Sequence, residues 1–582
     1  MKNAEIAAAF DRIADALEIK GESGFKVQAY RKAARILADM TEDVARVAAE
    51  GRLETIPGIG SGIARKVEEY LKTGGMARLR EALSVVPAGL LELLEIPGLG
   101  GKTVRLMHEA LGIKGLSDLK RVVADGTLAR LRGMGARKVD NIRRGIETRE
   151  RVRERISIHE ASRIADAVVA YLAKSPLVGR IAAAGSLRRM KETVGDIDIL
   201  ATGRDGTAVI RRLAAYPETV RLLAAGDTKG SIVVRTGATE RQVDLRLVKD
   251  ADYGAALLYF TGSKAHNIKL RGMAKDRGLK ISEYGIFKGP KRLAGRTEED
   301  VYRVLGLPWI PPEMREDRGE IELALEGRLP AVVDAGDIRG DLHVHTNASD
   351  GTLTLDEVAA RAKALGYAYV AVCDHSRSVQ YAHGLSVERL QAQMREIDRL
   401  NRRRKGFRIL KGSEVDILAD GSLDLPDAIL AKLDFVVAAV HSGFRKDVTA
   451  RMLKAMENPY VMTIAHPTGR LISGREGYDV DIDKVLDGAK RLGKALELNA
   501  YYDRLDLDEH NLMKARKLGV RISIGTDTHG PGGMEMMRFG VGIARRAWLR
   551  REDILNCGDP GTFAAAGRPL PRRGTSRRPS PS

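Results

Sequence analysis

Apolar and polar positions divide this chain into three stretches with different rhythms. Up to about residue 150 they pattern as short amphipathic helices joined by glycine turns. Three similar units recur there: LETIPGIGSGIARKVEEYL at 53–71, LLEIPGLGGKTVRLMHEAL at 93–111 and LARLRGMGARKVDNIRRGI at 128–146. Each is a hydrophobic helix end, a glycine hairpin, then an amphipathic helix that opens with small or basic residues. From 151 to 250 strands alternate with helices, the strands being RIAAAGS, DIDILAT, SIVVRTG and RQVDLRLV. After a linker at 313–339 come seven apolar runs separated by helical stretches: DLHVH, YVAVC, FRILKG, LDFVVAAV, VMTIA, ALELN and RISIG. Alternation of that length predicts a parallel barrel, whose functional residues gather at the C-terminal ends of its strands.

The hairpin glycines are Gly58 and Gly60, Gly98 and Gly100, and Gly133 and Gly135. They permit the tight turn and bare the amides that open the next helix, where a backbone phosphate can sit. These units resemble the helix-hairpin-helix motif, which implies contact with a DNA backbone and no base reading. With GFKVQAYRKAARILADM ahead of the first hairpin, residues 1–85 resemble the small lyase domain of DNA polymerase β and its relatives. That resemblance makes Lys66 the candidate catalytic lysine, forming a Schiff base with the sugar of an abasic site. It puts Lys26, Tyr30 and Arg31 among the residues that bind the 5′-phosphate. Gly62 departs from the animal enzyme, which has a second lysine there. Residues 86–150 follow as a fingers-like helix-hairpin-helix domain.

The stretch GSLRRMKETVGDIDIL at 185–200 joins two chemistries. On a strand, Asp196 and Asp198 share one face while Ile197 and Ile199 turn to the core. The Gly185-Ser186 turn and the Arg188-Arg189 pair can hold phosphate oxygens. Asp244, with Val243, Leu245 and Leu247 on the opposite face of its strand, adds a third carboxylate. Several oxygen ligands are what paired Mg²⁺ ions require. GSLRR, GDID and QVDLR, in that order, resemble the nucleotidyltransferase palm of family X DNA polymerases over 151–250. YFTGSKAHNIKLRGMAKDRGLKISEYGIF at 259–287 resembles their thumb, 251–312. The resemblance implies that Asp196 and Asp198 bridge two ions, Mg²⁺ or Mn²⁺, and that Asp244 ligates the one activating the primer 3′-OH. It implies that Ser186 and Arg189, beside Gly185 and Gly195, hold the phosphates of an incoming dNTP. Tyr259, Phe260 and Gly262 would line its sugar and base, Asn267 would reach its minor-groove edge, and Arg271 the template.

In the third stretch polar residues cluster where the apolar runs end. His343 and His345 share a face of the first, Asp350 follows, and Asp374-His375 close the second. Glu414 ends the third run, His441 the fourth and His466 the fifth, with Asp527 and His529 after the seventh. Such nitrogen and carboxylate donors form a multi-metal cage. Residues 340–556 resemble the PHP (polymerase and histidinol phosphatase) domain, a (β/α)7 barrel. Its nine ligand positions are all filled, by every one of these polar residues except Asp374, while His383 and His510 fall outside the pattern. The resemblance implies three ions, Mn²⁺ or Zn²⁺, with Glu414 bridging, and metal-assisted phosphodiester hydrolysis: 3′→5′ exonuclease, abasic-site endonuclease or 3′-phosphatase.

Composition sharpens this picture. The net charge of +19 points to nucleic acid. Eight of the eleven histidines lie after residue 340, which separates the chemistry of the barrel from that of the rest. Cys373 and Cys557 form no CxxC, which suits a reducing cytoplasm. No apolar run approaches the ~20 residues of a membrane span. After REDILN the chain departs from the family and reads CGDPGTFAAAGRPLPRRGTSRRPSPS; its composition predicts a disordered basic tail over 557–582. The expectation is a multidomain α and α/β chain acting as a monomer on gapped or damaged DNA, a gap-filling polymerase fused to a nuclease. Its rivals are an end-processing nuclease with weak polymerase activity and a non-catalytic DNA-end scaffold.

Overall fold

The computed structural model describes residues 2–563, apart from 41–43, 57, 95, 97–98, 132–133, 136–137, 141, 144–145, 147–154, 238, 473–476 and 562. The chain divides into two compact units, Met1–Arg155 and Ile156–Ser582.

The first unit is helical. Helices Lys2–Lys20 and Gly24–Asp39 bury Ile6, Phe10, Ile13, Ala34 and Leu37 with Val67 of the helix Ser61–Thr73. A second cluster gathers Leu90, Leu93, Val104, Met107 and Leu119 around the helix Gly101–Leu111. Among the described residues, the three repeats share two backbone hydrogen bonds. In each, an amide donates across the hairpin: Ile59 to Ile56 at 2.9 Å, Leu99 to Ile96 at 3.0 Å, Met134 to Leu131 at 2.9 Å. Each then starts a helix on a glycine carbonyl, Gly60, Gly100 and Gly135, accepting from Ala64, Val104 and Val139. The apolar residue after each turn (Ile59, Leu99 or Met134) is buried, so the hairpin is pinned from inside, and Gly58, Gly60, Gly100 and Gly135 are exposed.

The second unit opens with helix Ile158–Ala173, whose N-cap Ser157 accepts from the Glu160 amide. It packs on a five-stranded sheet: β1 Val178–Ala183, β2 Ile197–Gly203, β3 Thr219–Ala225, β4 Lys229–Thr236 and β5 Thr239–Val248, in the order β1-β2-β5-β4-β3. Neighbours are antiparallel except β2 and β5, which run parallel with Asp198 directly opposite Asp244. Helices Tyr253–Thr261 and Lys264–Asp276 follow, then a small antiparallel sheet, β6 Lys280–Ser282, β7 Gly285–Lys288 and β8 Lys291–Ala294. This part is pinned by Glu298, which is buried. It accepts bidentate bonds from Arg315 at 2.7 and 3.0 Å and from Arg188 at 2.7 and 2.8 Å, and one from the Trp309 indole at 2.9 Å.

Seven parallel strands complete the unit, each next to its successor in the chain: β9 Gly340–Val344, β10 Tyr369–Val372, β11 Arg408–Asp416, β12 Phe435–Ala439, β13 Thr463–Ile464, β14 Ala495–Asn499 and β15 Ile522–Gly525. They read as near-continuous apolar runs because parallel strands are covered on both faces. The ring is nearly closed by the amides of Asp527 and His345, donating to the carbonyls of His343 and Thr528 at 2.9 Å each. The start of the expected disordered tail is instead ordered. Cys557 is buried, and Phe563, 2% exposed, packs 5.6 Å from the Tyr369 ring and 6.1 Å from that of Phe435. An aromatic that can plug the N-terminal end of a barrel outweighs the glycines and prolines around it; residues 564–582 lie outside the described residues. No described helix is long and apolar enough to cross a membrane.

Candidate functional site

Two donor sets of different chemistry stand in the second unit. The first lies on the open sheet. Ile197 and Ile199 are buried as the alternation requires, and Asp198 faces the other way beside Asp244. Asp196 departs from the simple strand picture: β2 begins only at Ile197, and Asp196 is exposed just ahead of it. Burial, with the charges of Asp244 and Asp196, pushes the Asp198 carboxyl up to about 6. Asp244 is held by the Ser231 hydroxyl, by the Gln242 amide at 3.0 Å and by Lys229 at 3.5 Å. Carboxylates crowded so that one resists ionising are a donor set that a divalent cation would relieve.

The turn above these carboxylates depends on one glycine. Gly185 has φ +62°, and a Cβ there would lie 2.4 Å from Asp198 Oδ2, so no other residue lets the turn approach the carboxylate. Ser186 follows in the short helix Gly185–Arg188, and Gly195 precedes Asp196. Arg189 donates from Nε to Glu316 at 3.1 Å and from Nη1 to the Thr261 carbonyl, which brings it beside Gly262, another positive-φ glycine. The rings of Tyr259 and Phe260 meet edge to face at 5.2 Å, and Arg246 lies 4.6 Å over Phe260. Asn267 donates to the Tyr259 carbonyl at 2.7 Å, and Arg271 is exposed one helical turn further on. The sequence-predicted set is thus assembled around the sheet, with Arg189 already engaged by a carboxylate that sequence reading did not single out.

The second donor set is the barrel's. All nine expected ligands converge at the C-terminal ends of the strands. Three groups each place donor atoms within 4.8 Å of one another: His345, Asp350, His375 and His529; His343, His345 and Asp527; His375, Glu414 and His441. Glu414 is central, with His375 Nδ1 at 2.8 Å, His466 Nε2 at 3.0 Å and His441 Nε2 at 3.2 Å. His343 Nε2 faces His345 Nε2 at 3.2 Å. His345 Nδ1, His441 Nδ1 and His466 Nδ1 are buried without a hydrogen bond. Buried donors and acceptors left unpaired cost free energy, and cations among them would satisfy these atoms. His466 (φ +27°) and Asp527 (φ +53°) also carry strained backbone, the kind of cost that clusters at working sites.

Charge orders the cage. Burial opposes the charged form of Glu414, but His441, His375 and His343 outweigh it and hold the carboxylate well below its usual range. Burial likewise opposes protonation of His343, and Glu497, Glu414 and Asp527 lift it well above the usual imidazole value. His345 goes the other way, down to about 4, through burial and the neighbouring His529. His383 is exposed in a left-handed turn, and His510 lies 3.5 Å from Arg318; neither belongs to the three donor groups.

Sequence reading missed the supports. Glu497 accepts from the His466 amide at 2.8 Å and joins His343 Nδ1 at 2.6 Å. Asn499 donates to Glu497 at 3.2 Å and to Asp527 at 3.0 Å, and Arg504 Nε lies 3.4 Å from Asp527. The signal was present in ALELN, where Glu and Asn alternate with Leu and so share the inner face of the sixth strand.

In the first unit, Lys66 donates to the Gly62 carbonyl at 2.8 Å and lies 5.8 Å from the centre of the Tyr30 ring. Lys26 pairs with Glu22 at 3.0 Å, and Arg31 with Asp15 at 2.5 Å and Glu18 at 3.1 Å. Gly58, Gly60, Gly100 and Gly135 stand at the hairpins; Gly98 and Gly133 lie outside the described residues.

Family models match along the chain in the same order: a helix-hairpin-helix domain at 1–76, a SAM-like helix-hairpin-helix tandem at 90–149, a DNA polymerase beta thumb at 256–316 and a PHP domain at 341–500. The protein named DNA polymerase/3′-5′ exonuclease PolX of Bacillus subtilis (strain 168) is 38% identical over 96% of this chain and 97% of its own length. Rat DNA polymerase lambda is 28% identical over 54% of this chain and 56% of its own, and a protein named probable phosphatase of Acetivibrio thermocellus 35% identical over 37% and 86%. A likeness to the Bacillus protein from end to end, with each domain model in its place, means that this chain belongs to the family X DNA polymerases that carry a C-terminal PHP domain.

Proposed function

We propose that this chain is a DNA-directed DNA polymerase that fills short gaps in repair, and that its barrel removes nucleotides from 3′ ends. The observation that carries the reading is the pairing, in one unit, of an all-carboxylate set on an open sheet with an imidazole-rich cage in a barrel. Hard oxygen donors suit Mg²⁺ or Mn²⁺. Mixed nitrogen and carboxylate donors suit Mn²⁺ or Zn²⁺, and the three donor groups support three ions. When bound, such ions supply charge neutralisation and activation of the attacking oxygen.

The chain's own groups do the rest. Asp196, Asp198 and Asp244 are proposed to hold the ions at the primer 3′-OH and the α-phosphate of a dNTP. Ser186, Arg189 and the amides of the Gly185 turn hold its outer phosphates, and Tyr259, Phe260 and Gly262 close on its sugar. In the barrel, Glu414 would hold ions together with His375, His441 and His466, which surround it. Activity on 3′-phosphates is proposed on the strength of the relatives named probable phosphatases, and activity on abasic sites as a further hydrolysis by the same cage. Lys66 is the proposed lyase nucleophile, and the hairpins the proposed grip on the DNA backbone. The enzyme is proposed to act as a cytoplasmic monomer.

A labelled one-nucleotide-gap duplex tests the central claim. With Mg²⁺ or Mn²⁺ and dNTPs the wild type should extend it, and without dNTPs it should shorten it. The double variant Asp196→Ala, Asp198→Ala should lose extension alone, and His343→Ala should lose shortening alone. Extension that survives in the double variant would sink the polymerase assignment.

A further inference from the structure

The turn proposed to hold the nucleotide's phosphates is gripped from the barrel. Four consecutive residues, Arg189 to Glu192, each touch it. Arg546, on the barrel's helix Met537–Arg546, donates from Nη1 to the Arg189 carbonyl at 2.6 Å. Met190 lies against Gly542 of the same helix, close enough that a Cβ on that glycine would be 2.7 Å from Met190 Cγ. Lys191 pairs with Glu509 at 3.3 Å. Glu192 takes two bonds from Arg470, at 2.7 and 3.4 Å.

The grip extends to the Arg189 guanidinium. Glu316 accepts from Arg189 at 3.1 Å and from Arg546 at 3.0 Å, with Lys191 at 3.6 Å. Glu509 takes Arg546, Lys191 and, at 2.9 Å, Arg318. The Arg546 side chain is 1% exposed, so it belongs to a buried network and not to a rim of surface ion pairs. Burial opposes ionisation of Glu316, yet Arg546, Lys191 and Arg189 outweigh it and hold the carboxyl down at about 2. A guanidinium already fixed in place loses less freedom when a phosphate arrives, which is how a supporting contact sharpens a binding site.

We propose that Arg546, acting through Glu316 and the Arg189 carbonyl, is a positioning residue for nucleotide addition, so that the barrel sets the nucleotide affinity of the polymerase centre while carrying its own hydrolytic one. The inference rests on the proposed seat of the triphosphate at Ser186 and Arg189. Nothing about it involves the metal cage, whose ligands lie on other residues.

Steady-state extension of gapped DNA tests it, with KM for dNTP and kcat measured separately and the nuclease reaction run alongside. Arg546→Lys keeps the charge but not the forked reach, and should raise KM about 5- to 20-fold with a smaller change in kcat. Arg546→Gln should raise it further, the lysine variant standing as partial rescue. Gly542→Ala leaves no buried charge unpaired and suits a helix, yet pushes on Met190; it should raise KM in the same direction. Nuclease rates should stay at the wild-type value in all three. The proposal is overturned if KM stays within about twofold in both Arg546→Lys and Gly542→Ala, or if extension and degradation fall together with thermal stability. Arg189→Ala separates the two readings: an unchanged KM there removes the phosphate seat, and this inference with it.

Discussion

Replacing Asp198 by Asn should abolish nucleotide addition and yet make the metal-free protein more stable. The carboxyl stands at about 6 against an ordinary 3.8, first through burial and then through the charges of Asp244 and Asp196. At about 1.4 kcal/mol per tenfold change in proton affinity, that rise amounts to about 3 kcal/mol. Because the folded chain binds this proton more tightly than the unfolded one, the associated stability is present below pH 3.8. It is lost as pH rises through about 6. An asparagine of the same shape has no proton to lose. In chelator at pH 7.5 the variant should therefore be more stable by up to about 3 kcal/mol, and at pH 5 by about half of that. Urea unfolding of both proteins at the two pH values reads the difference directly. Adding Mg²⁺ should stabilise the wild type and narrow the gap, since a cation that binds only the folded state adds its binding energy to stability. A variant no more stable than wild type at pH 7.5 would refute the repulsion argument. A gap of equal size at both pH values would trace it to packing instead.

Three further outcomes follow from the geometry. Glu497→Gln should weaken the barrel's metal affinity about 10- to 100-fold, because it orients both His343 and His466; an unchanged metal requirement in nuclease assays and unchanged metal content after graded chelation would count against it. Arg315→Met should cost about 3–5 kcal/mol in urea unfolding, since it strips the bidentate partner from the buried Glu298, and a loss below about 1 kcal/mol would show that Arg188 alone suffices. Borohydride should trap the wild-type chain on abasic DNA and fail to trap Lys66→Ala; equal trapping of the two would discharge Lys66 from the lyase role.

Much of the architecture was legible because the chain writes it with strict periods. Seven apolar runs between helices gave seven parallel strands, and a polar residue at the end of a run marked the inner rim of the barrel, where His375, His441 and His466 stand. Asp198 and Asp244 were legible as a pair because flanking apolar residues fix which face each takes. The third strand of the palm sheet was not. Thr219–Ala225 is an edge strand in which Val220 and Leu222 are among the exposed positions, so its apolar residues give no core-facing alternation to read. Glu497 was missed for a different reason. It sits within its strand, and attention to strand ends passes over it. The Arg546 network carries no local signal at all: its carbonyl bond spans 357 positions and its bond to Glu316 spans 230, and arginine and glutamate are ordinary surface residues.

That network bears on how the two activities can be separated. The palm and the barrel share one buried apolar cluster, which includes Ile164 and Val168 of the palm's first helix and Leu505, Phe539 and Ile543 of the barrel. His159 stacks on Tyr502 across the same boundary at 4.5 Å. Cutting the chain in the 313–339 stretch would bare this surface and leave Glu316 without Arg546, so a lost polymerase activity after such a cut would not show which centre performs the chemistry. Exchanging one cage ligand or one palm carboxylate leaves the shared core in place. A chain whose synthetic and hydrolytic centres lean on the same packing and the same ion network has to be divided by side chain, not by domain.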